Sequence, residues 1–445
     1  MLFSSITFLY YFLPWALLLY FLSGKFKNLS LLFSSLFFYA WGEPKYVFLM
    51  AGVIGLGYAF GIMAERYRER PGGKILVGIF VFLCVGILFY YKLPGIALPV
   101  GISFYMFQVI SYVIDVRRGQ KPQRNFVDLA AYISMFPQLV AGPIVRYSQI
   151  EKQLTDRTHS MEMAAGGITR FVTGLSKKVI LANTLGEFAG RFSDPSQPSL
   201  LSGWLYAIAV ALQIYFDFSG YSDMAIGLGK IFGFHFPENF DYPFLSKSVA
   251  EFWRRWHRSL GYWFRDYLYI PLGGSLVPAP RYVGNVLLVW LSTGLWHGLS
   301  WNFVIWGLYF AAFLVLEKLW LGKFLERSKV LSRCYLLLVV IISFVIFQAG
   351  SLGEVTGRLG VMFGVGVPLA SQEGVFFLRD YGGVLFAAVL GATPLAKNLL
   401  AKMNSGYAGK KIFAVLEPVY LAAAVLVVTS FLVKGSYNPF LYFRF

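Results

Sequence analysis

Three stretches place polar groups where the surrounding sequence is apolar, and each could do chemistry. His297 is the one ionisable residue between Arg281 and Glu317, near the middle of about 35 residues without a charge. As one helix those residues would reach about 50 Å, beyond a bilayer core of about 30 Å. The spacing therefore predicts a bend or break over residues 294–302, with His297 beside it at membrane depth. An imidazole taken out of water favours its neutral form, which can accept a proton as a general base must. The plain alternative is a histidine that hydrogen-bonds a neighbouring helix. In the second stretch, residues 247–274, Trp253, Trp256, His257 and Leu260 recur at helical spacing and predict one face. Arg254, Arg258 and Arg265 fall elsewhere. An interfacial helix, with tryptophans at headgroup level and arginines toward water or lipid phosphate, accounts for all of these except His257. The arginines equally suit an anionic substrate. The third stretch, QIYFDFSGYSD at 213–223, sets Gln213, Asp217, Ser219, Ser222 and Asp223 in an apolar region. These groups either satisfy one another inside a bundle around a kink near Gly220, or support a catalytic group. Buried polar groups are normally satisfied by neighbours, which favours the structural reading.

Other chemistries find little support. The four histidines show no HExxH spacing, so no metal site is expected. The two cysteines, Cys84 and Cys334, lie in or beside apolar runs without a CxxC pattern, which supports neither a disulfide framework nor a thiolate site.

The elements that would hold these residues are membrane helices. The chain is 57% hydrophobic and only 14% charged, against about 25% charged residues in a soluble domain. Its net charge is +17, but the cations sit in short loops between apolar runs, which indicates positive-inside topology rather than nucleic-acid binding. Residues 2–22 carry no charge and are followed by Lys25 and Lys27, which predicts a retained first span with the N-terminus outside. Further runs lie near 29–42, 46–63, 74–91, 96–115, 127–145, 164–185, 200–218, 221–233, 284–316, 333–350, 381–396 and 412–433. Loops with Arg66, Arg68, Arg70 and Lys74, and with Arg117, Arg118, Lys121 and Arg124, are basic, whereas the alternate loops hold only Lys45 and Lys92. Residues 351–378 suggest a longer loop with an amphipathic part, and 397–411 a basic cytoplasmic segment. No internal repeat is evident. The expectation is an all-α polytopic membrane protein, one membrane domain over 1–445, with about eleven transmembrane helices plus re-entrant or interfacial helices.

The residues also carry a family resemblance. PVGISFYMFQVISYVIDVRRG at 99–119, FPQLVAGPIVRY at 136–147, QIYFDFSGYSDMAIGLG at 213–229, NFDYPF at 239–244, FWRRWHRSLGYWFRDYLYIPLGG at 252–274, GLWHGLSWNFVIWG at 294–307 and the ending NPFLYFRF follow one another in order. The chain resembles membrane-bound O-acyltransferases of the alginate O-acetyltransferase branch over nearly its whole length. The resemblance implies a ring of helices around a central tunnel. It implies His297 of the WHG motif as principal catalytic residue and His257 of the WRRWH motif as second active-site histidine. Arg254, Arg255, Arg258, Trp256 and Asn302 become candidates for binding the donor. Asp217, Asp223 and Gln213 remain structural or supporting groups. The implied donor is cytoplasmic acetyl-CoA, a substrate rather than a bound cofactor. The implied partners are an extracytoplasmic acetyltransferase, a polysaccharide acceptor and membrane lipid, in a bacterial inner membrane. Two alternatives stay open: D-alanyl transfer from a carrier protein to teichoic acid, and a transporter or channel with Asp217, Asp223 and His297 along an ion path. A third is an inactive scaffold of an export complex.

Overall fold

A computed structural model describes the chain apart from residues 141, 194–195, 436 and 440–445, and describes 407 and 408 as backbone only. The motif FPQLVAGPIVRY thus lacks one described residue, and most of NPFLYFRF lies outside the described set. Among the described residues the regular structure is helical. Seven helical segments of the described residues are long and apolar enough to cross a membrane: Pro44–Arg66, Gly72–Tyr91, Leu200–Ile231, Trp301–Leu325, Lys329–Gln348, Gln372–Gly391 and Gly409–Val433. Thr7–Leu22 adds a shorter apolar helix. The expected count of about eleven included runs that form shorter or more broken helices. The run at 127–145, for example, divides into Phe126–Ser134 and Phe136–Leu139. Several spans keep apolar side chains outward, as lipid contact demands. In Gly409–Val433 only 6% of the apolar window is buried.

The chain packs as two compact units, residues 1–175 with 221–238 and residues 176–220 with 239–439, counting described residues. In the first, the helix Ile102–Arg118 is the buried hub, with a run of buried residues from Ile102 to Val113. Small residues let a neighbour approach it: a Cβ on Gly57 would stand 3.1 Å from Val109, and one on Gly61 2.7 Å from Tyr112. Its last carbonyls are capped by the Arg68 guanidinium, which donates to Val116 O at 2.7 Å. Gly167 and Gly227 press backbone to backbone, and one turn away Arg170 pairs with Asp223 at 2.7 Å and with Glu238 at 2.5 Å.

The runs expected at 200–218 and 221–233 are one continuous helix, Leu200–Ile231, which passes through Gly220. Its two carboxylates need no break to reach a partner. Asp223 meets Arg170, and in the second unit Asp217 meets Lys178 at 2.8 Å, both side chains 1% exposed. Lys178 also donates to Asn183 Oδ1 at 2.7 Å and to the Pro439 carbonyl. The stretch 351–378 is more ordered than a long loop: Leu352–Met362 is a helix, and the following helix begins at Gln372.

Candidate active site

The second unit holds both candidate histidines, each at a place where a helix stops. Ala279–His297 ends on His297, and Trp301–Leu316 restarts three residues after Gly298, within the stretch where the uncharged length required a break. The two helices form a tight hairpin. A Cβ on Gly307 would stand 2.5 Å from Trp290 O, and one on Gly294 would collide with Phe303 O, so only glycine permits this crossing. Gly298 is extended at φ 173°. A Cβ there would lie 2.6 Å from the Phe303 ring, so packing, not backbone conformation, requires the glycine. His297 is 4% exposed. Aromatic rings hold its imidazole edge-on: Phe347 at 4.9 Å and 86°, and Trp306 at 5.2 Å and 84°. Asn302 closes the turn, accepting from the Ser300 hydroxyl and donating to Phe347 O at 3.3 Å.

His257 sits differently. The single helical face expected for Trp253, Trp256, His257 and Leu260 does not form. The helix Val249–Arg255 stops, Trp256 is extended, His257 adopts the left-handed conformation at φ 43° and ψ 52°, and a new helix runs Arg258–Phe264. Non-glycine residues there are uncommon and cost of order 1 kcal/mol or more, so the surroundings must enforce it. The segment NFDY does so. Asp241 N donates to Arg255 O at 3.0 Å, and Arg258 N to Asn239 O at 3.0 Å. Asn239 Oδ1 accepts from Ser259 N and from Ser259 Oγ at 3.2 and 2.9 Å. The backbone groups freed by the break thereby find partners. His257 is 2% exposed, with Phe218 edge-on at 4.6 Å and 79° and Trp296 at 6.3 Å. Burial pushes its pKa down to about 3, so it is neutral at physiological pH.

A cavity of about 450 Å³ opens beside His257, with Trp253, Arg254, Arg258, Arg265 and Thr293 on its wall. His297 does not line it. Thr293 stands one turn before His297 on the same helix face, about 6 Å along the axis. Trp296, next to His297 in the chain, has its ring 4.8 Å from the His297 ring and 6.3 Å from the His257 ring. Of the donor-binding candidates, Arg254 and Arg258 face the cavity. Arg255 pairs with Glu251 at 2.9 Å and Asp241 at 4.0 Å, and so braces the break. Trp256 is 3% exposed and stacks on Phe252 at 5.5 Å. Gln213 is buried against Gly186, where a Cβ would collide with its amide.

Sequence reasoning passed over Asn239, Phe218 and Lys178. Asn239 stood inside a quoted motif, but its role depends on a partner 20 residues away. Lys178 interrupts the apolar run 164–185, and that interruption was the available signal.

A family model described as MBOAT, membrane-bound O-acyltransferase family, matches residues 118–352, which include both histidines. The chain is 38% identical to a probable alginate O-acetylase of Pseudomonas putida, over the full length of both. It is 29% identical to a peptidoglycan O-acetyltransferase of Helicobacter pylori, covering 100% of this chain and 98% of that one. A teichoic acid D-alanyltransferase of Bacillus subtilis is 30% identical over 48% of this chain and 57% of its own.

Proposed function

The chain belongs to the membrane-bound O-acyltransferase family and is an O-acyltransferase, and from that premise we propose that it takes acetyl from cytoplasmic acetyl-CoA for O-acetylation of an extracytoplasmic polysaccharide. The acceptor we assign is an alginate-like exopolysaccharide, reached through a partner transferase outside a bacterial inner membrane, with the N-terminus of this chain on that outer side. The observation that carries the reading is the pair of buried histidines at two helix breaks, each in ring contact with Trp296, with an arginine-bearing cavity beside His257. Full-length similarity to an alginate O-acetylase supports acetyl over D-alanyl, since the D-alanyltransferase likeness covers about half of each chain.

In this mechanism Arg254 and Arg258 attract the donor's phosphates, and the thioester enters along the face of Ala279–His297 toward its end. His297 accepts the proton of the acceptor hydroxyl as that oxygen attacks the thioester carbon. The C–O bond forms, and the carbonyl electrons move onto oxygen. Neutral His257 donates an N–H toward the developing oxyanion, a role that needs no net charge. Collapse breaks the C–S bond, and the CoA thiolate leaves with the proton from His297. Asp217 and Asp223, each held by a cation, serve as supports.

The test is release of CoA thiol from acetyl-CoA by purified wild type and His297→Ala, with the extracytoplasmic partner present. Release by wild type alone supports the reading. Silence from a folded, partnered wild type overturns acetyl-CoA as donor, and the same preparation offered a D-alanyl carrier protein then decides between the two donors.

A further inference from the structure

A second cavity, of about 440 Å³, lies next to the first and shares Ala250, Tyr282 and Leu314 with it. Its wall carries three ammonium groups, Lys247, Lys318 and Lys329. The nearby acids do not neutralise them one for one. Glu317 is committed to the start of Val249–Arg255, accepting from Val249 N at 2.6 Å and Ala250 N at 3.1 Å. Glu251 accepts from Lys247 N at 2.9 Å and pairs with Arg255. With Glu326 also on the wall, three lysines face two carboxylates, which leaves an excess of one positive charge. The ammonium of Lys318 stands 6.0 Å from the ring of Tyr282, another wall residue.

The outer side of the same element is apolar. Glu317–Leu321 is a π-helical turn, and the exposed large hydrophobics beside Lys318 are Leu319 at 59%, Trp320 at 76% and Phe324 at 50%. Lysines next to exposed tryptophan and phenylalanine at the end of a membrane span mark the headgroup level, and basic pockets between spans suit lipid headgroups. The volume fits a headgroup, with acyl chains left to run over Trp320 and Phe324.

We propose that this lysine-lined cavity binds the phosphate of an anionic phospholipid headgroup. Because the two cavities share a wall, a seated headgroup also fixes Ala250 and Tyr282 on the His257 side. The phosphate chemistry alone would also suit the phosphates of a free nucleotide, and the flanking apolar residues decide for lipid.

The test follows the unfolding midpoint of the delipidated full chain in detergent, a readout independent of acyl transfer. The probes are dioleoylphosphatidylglycerol, dioleoylphosphatidylcholine and 3′,5′-ADP. Wild type should gain about 3 °C or more with phosphatidylglycerol and little with the other two. The variant Lys247→Gln/Lys318→Gln/Lys329→Gln should lose that gain. Should it prove unstable, Lys318→Gln/Lys329→Gln, which leaves the residues before Val249–Arg255 untouched, should lose most of it. An equal gain in variant and wild type overturns the site. A gain with 3′,5′-ADP as large as with lipid, lost in the variants, overturns lipid as the occupant.

Discussion

The two histidines occupy opposite kinds of helix break. His297 ends a helix with ordinary backbone and is held by aromatic side chains. His257 is held by its own backbone, in a left-handed conformation tied down by the NFDY segment. A side chain caged by rings can keep its position while its helix end adjusts. A side chain fixed by a strained backbone is only as well placed as the loop that enforces it. The first arrangement suits a group that exchanges a proton, and the second a group that must stay still and donate.

The largest effect that separates them is on chemistry. His297→Ala should reduce acyl transfer about 10²–10⁴-fold with folding intact, the loss of a general base. His257→Gln, which keeps a donor but misplaces it, should cost about 10²-fold, mainly in kcat. Single-turnover acetyl transfer with matched circular dichroism checks both. Equal losses would merge the two roles and break the comparison.

Asn239→Ala attacks the brace rather than the histidine. It leaves Ser259 N–H and its hydroxyl without their buried acceptor, so about 1–3 kcal/mol of stability should be lost. Activity should fall with it, because His257 is released, while Asn302→Ala should act on His297 through the hairpin turn. Thermal unfolding together with kcat and KM distinguishes the two. An Asn239 variant with full stability and activity would show that the left-handed turn holds itself.

How far each site could be read in the sequence follows the same divide. The break at His297 was legible because length is local: an uncharged stretch too long for one span, with Gly298 inside it, has to turn. The break at His257 was not, since WRRWHRSL has the spacing of one helix. What interrupts it is backbone pairing to residues 239–241, a long-range contact that periodicity does not encode. The opposite miss occurred around Gly220. There two separate apolar runs were expected, but Lys178 and Arg170 satisfy Asp217 and Asp223 from neighbouring segments and one helix continues through both runs. Membrane architecture was legible from composition, whereas which apolar runs are full spans depended on where helices break.

The buried neutral state of His257 gives a smaller, pH-dependent signature. Its folded pKa of about 3 lies below the ordinary histidine value of 6.5. Above 6.5 neither state binds the proton and nothing is lost. Below it the unfolded chain is protonated and the folded one is not, so stability falls by about 1.4 kcal/mol per pH unit toward pH 3. His257→Asn should flatten that part of the pH–stability curve measured by chemical unfolding. An unchanged slope would place the titration on other groups.

The smallest effect is also the most selective, because it reverses sign between the two sites. At φ 43° a Cβ is unfavourable, so His257→Gly should be more stable than His257→Ala by about 1 kcal/mol, the left-handed penalty that glycine escapes. His297 closes a regular helix. There glycine loses more chain entropy and has no strain to relieve, so His297→Gly should be less stable than His297→Ala by about 0.5–1 kcal/mol. All four proteins lack a histidine, which removes catalysis from the comparison and leaves only the backbone. If the glycine variant is the less stable at both positions, the left-handed turn at His257 carries no strain, and its histidine is held by packing just as His297 is.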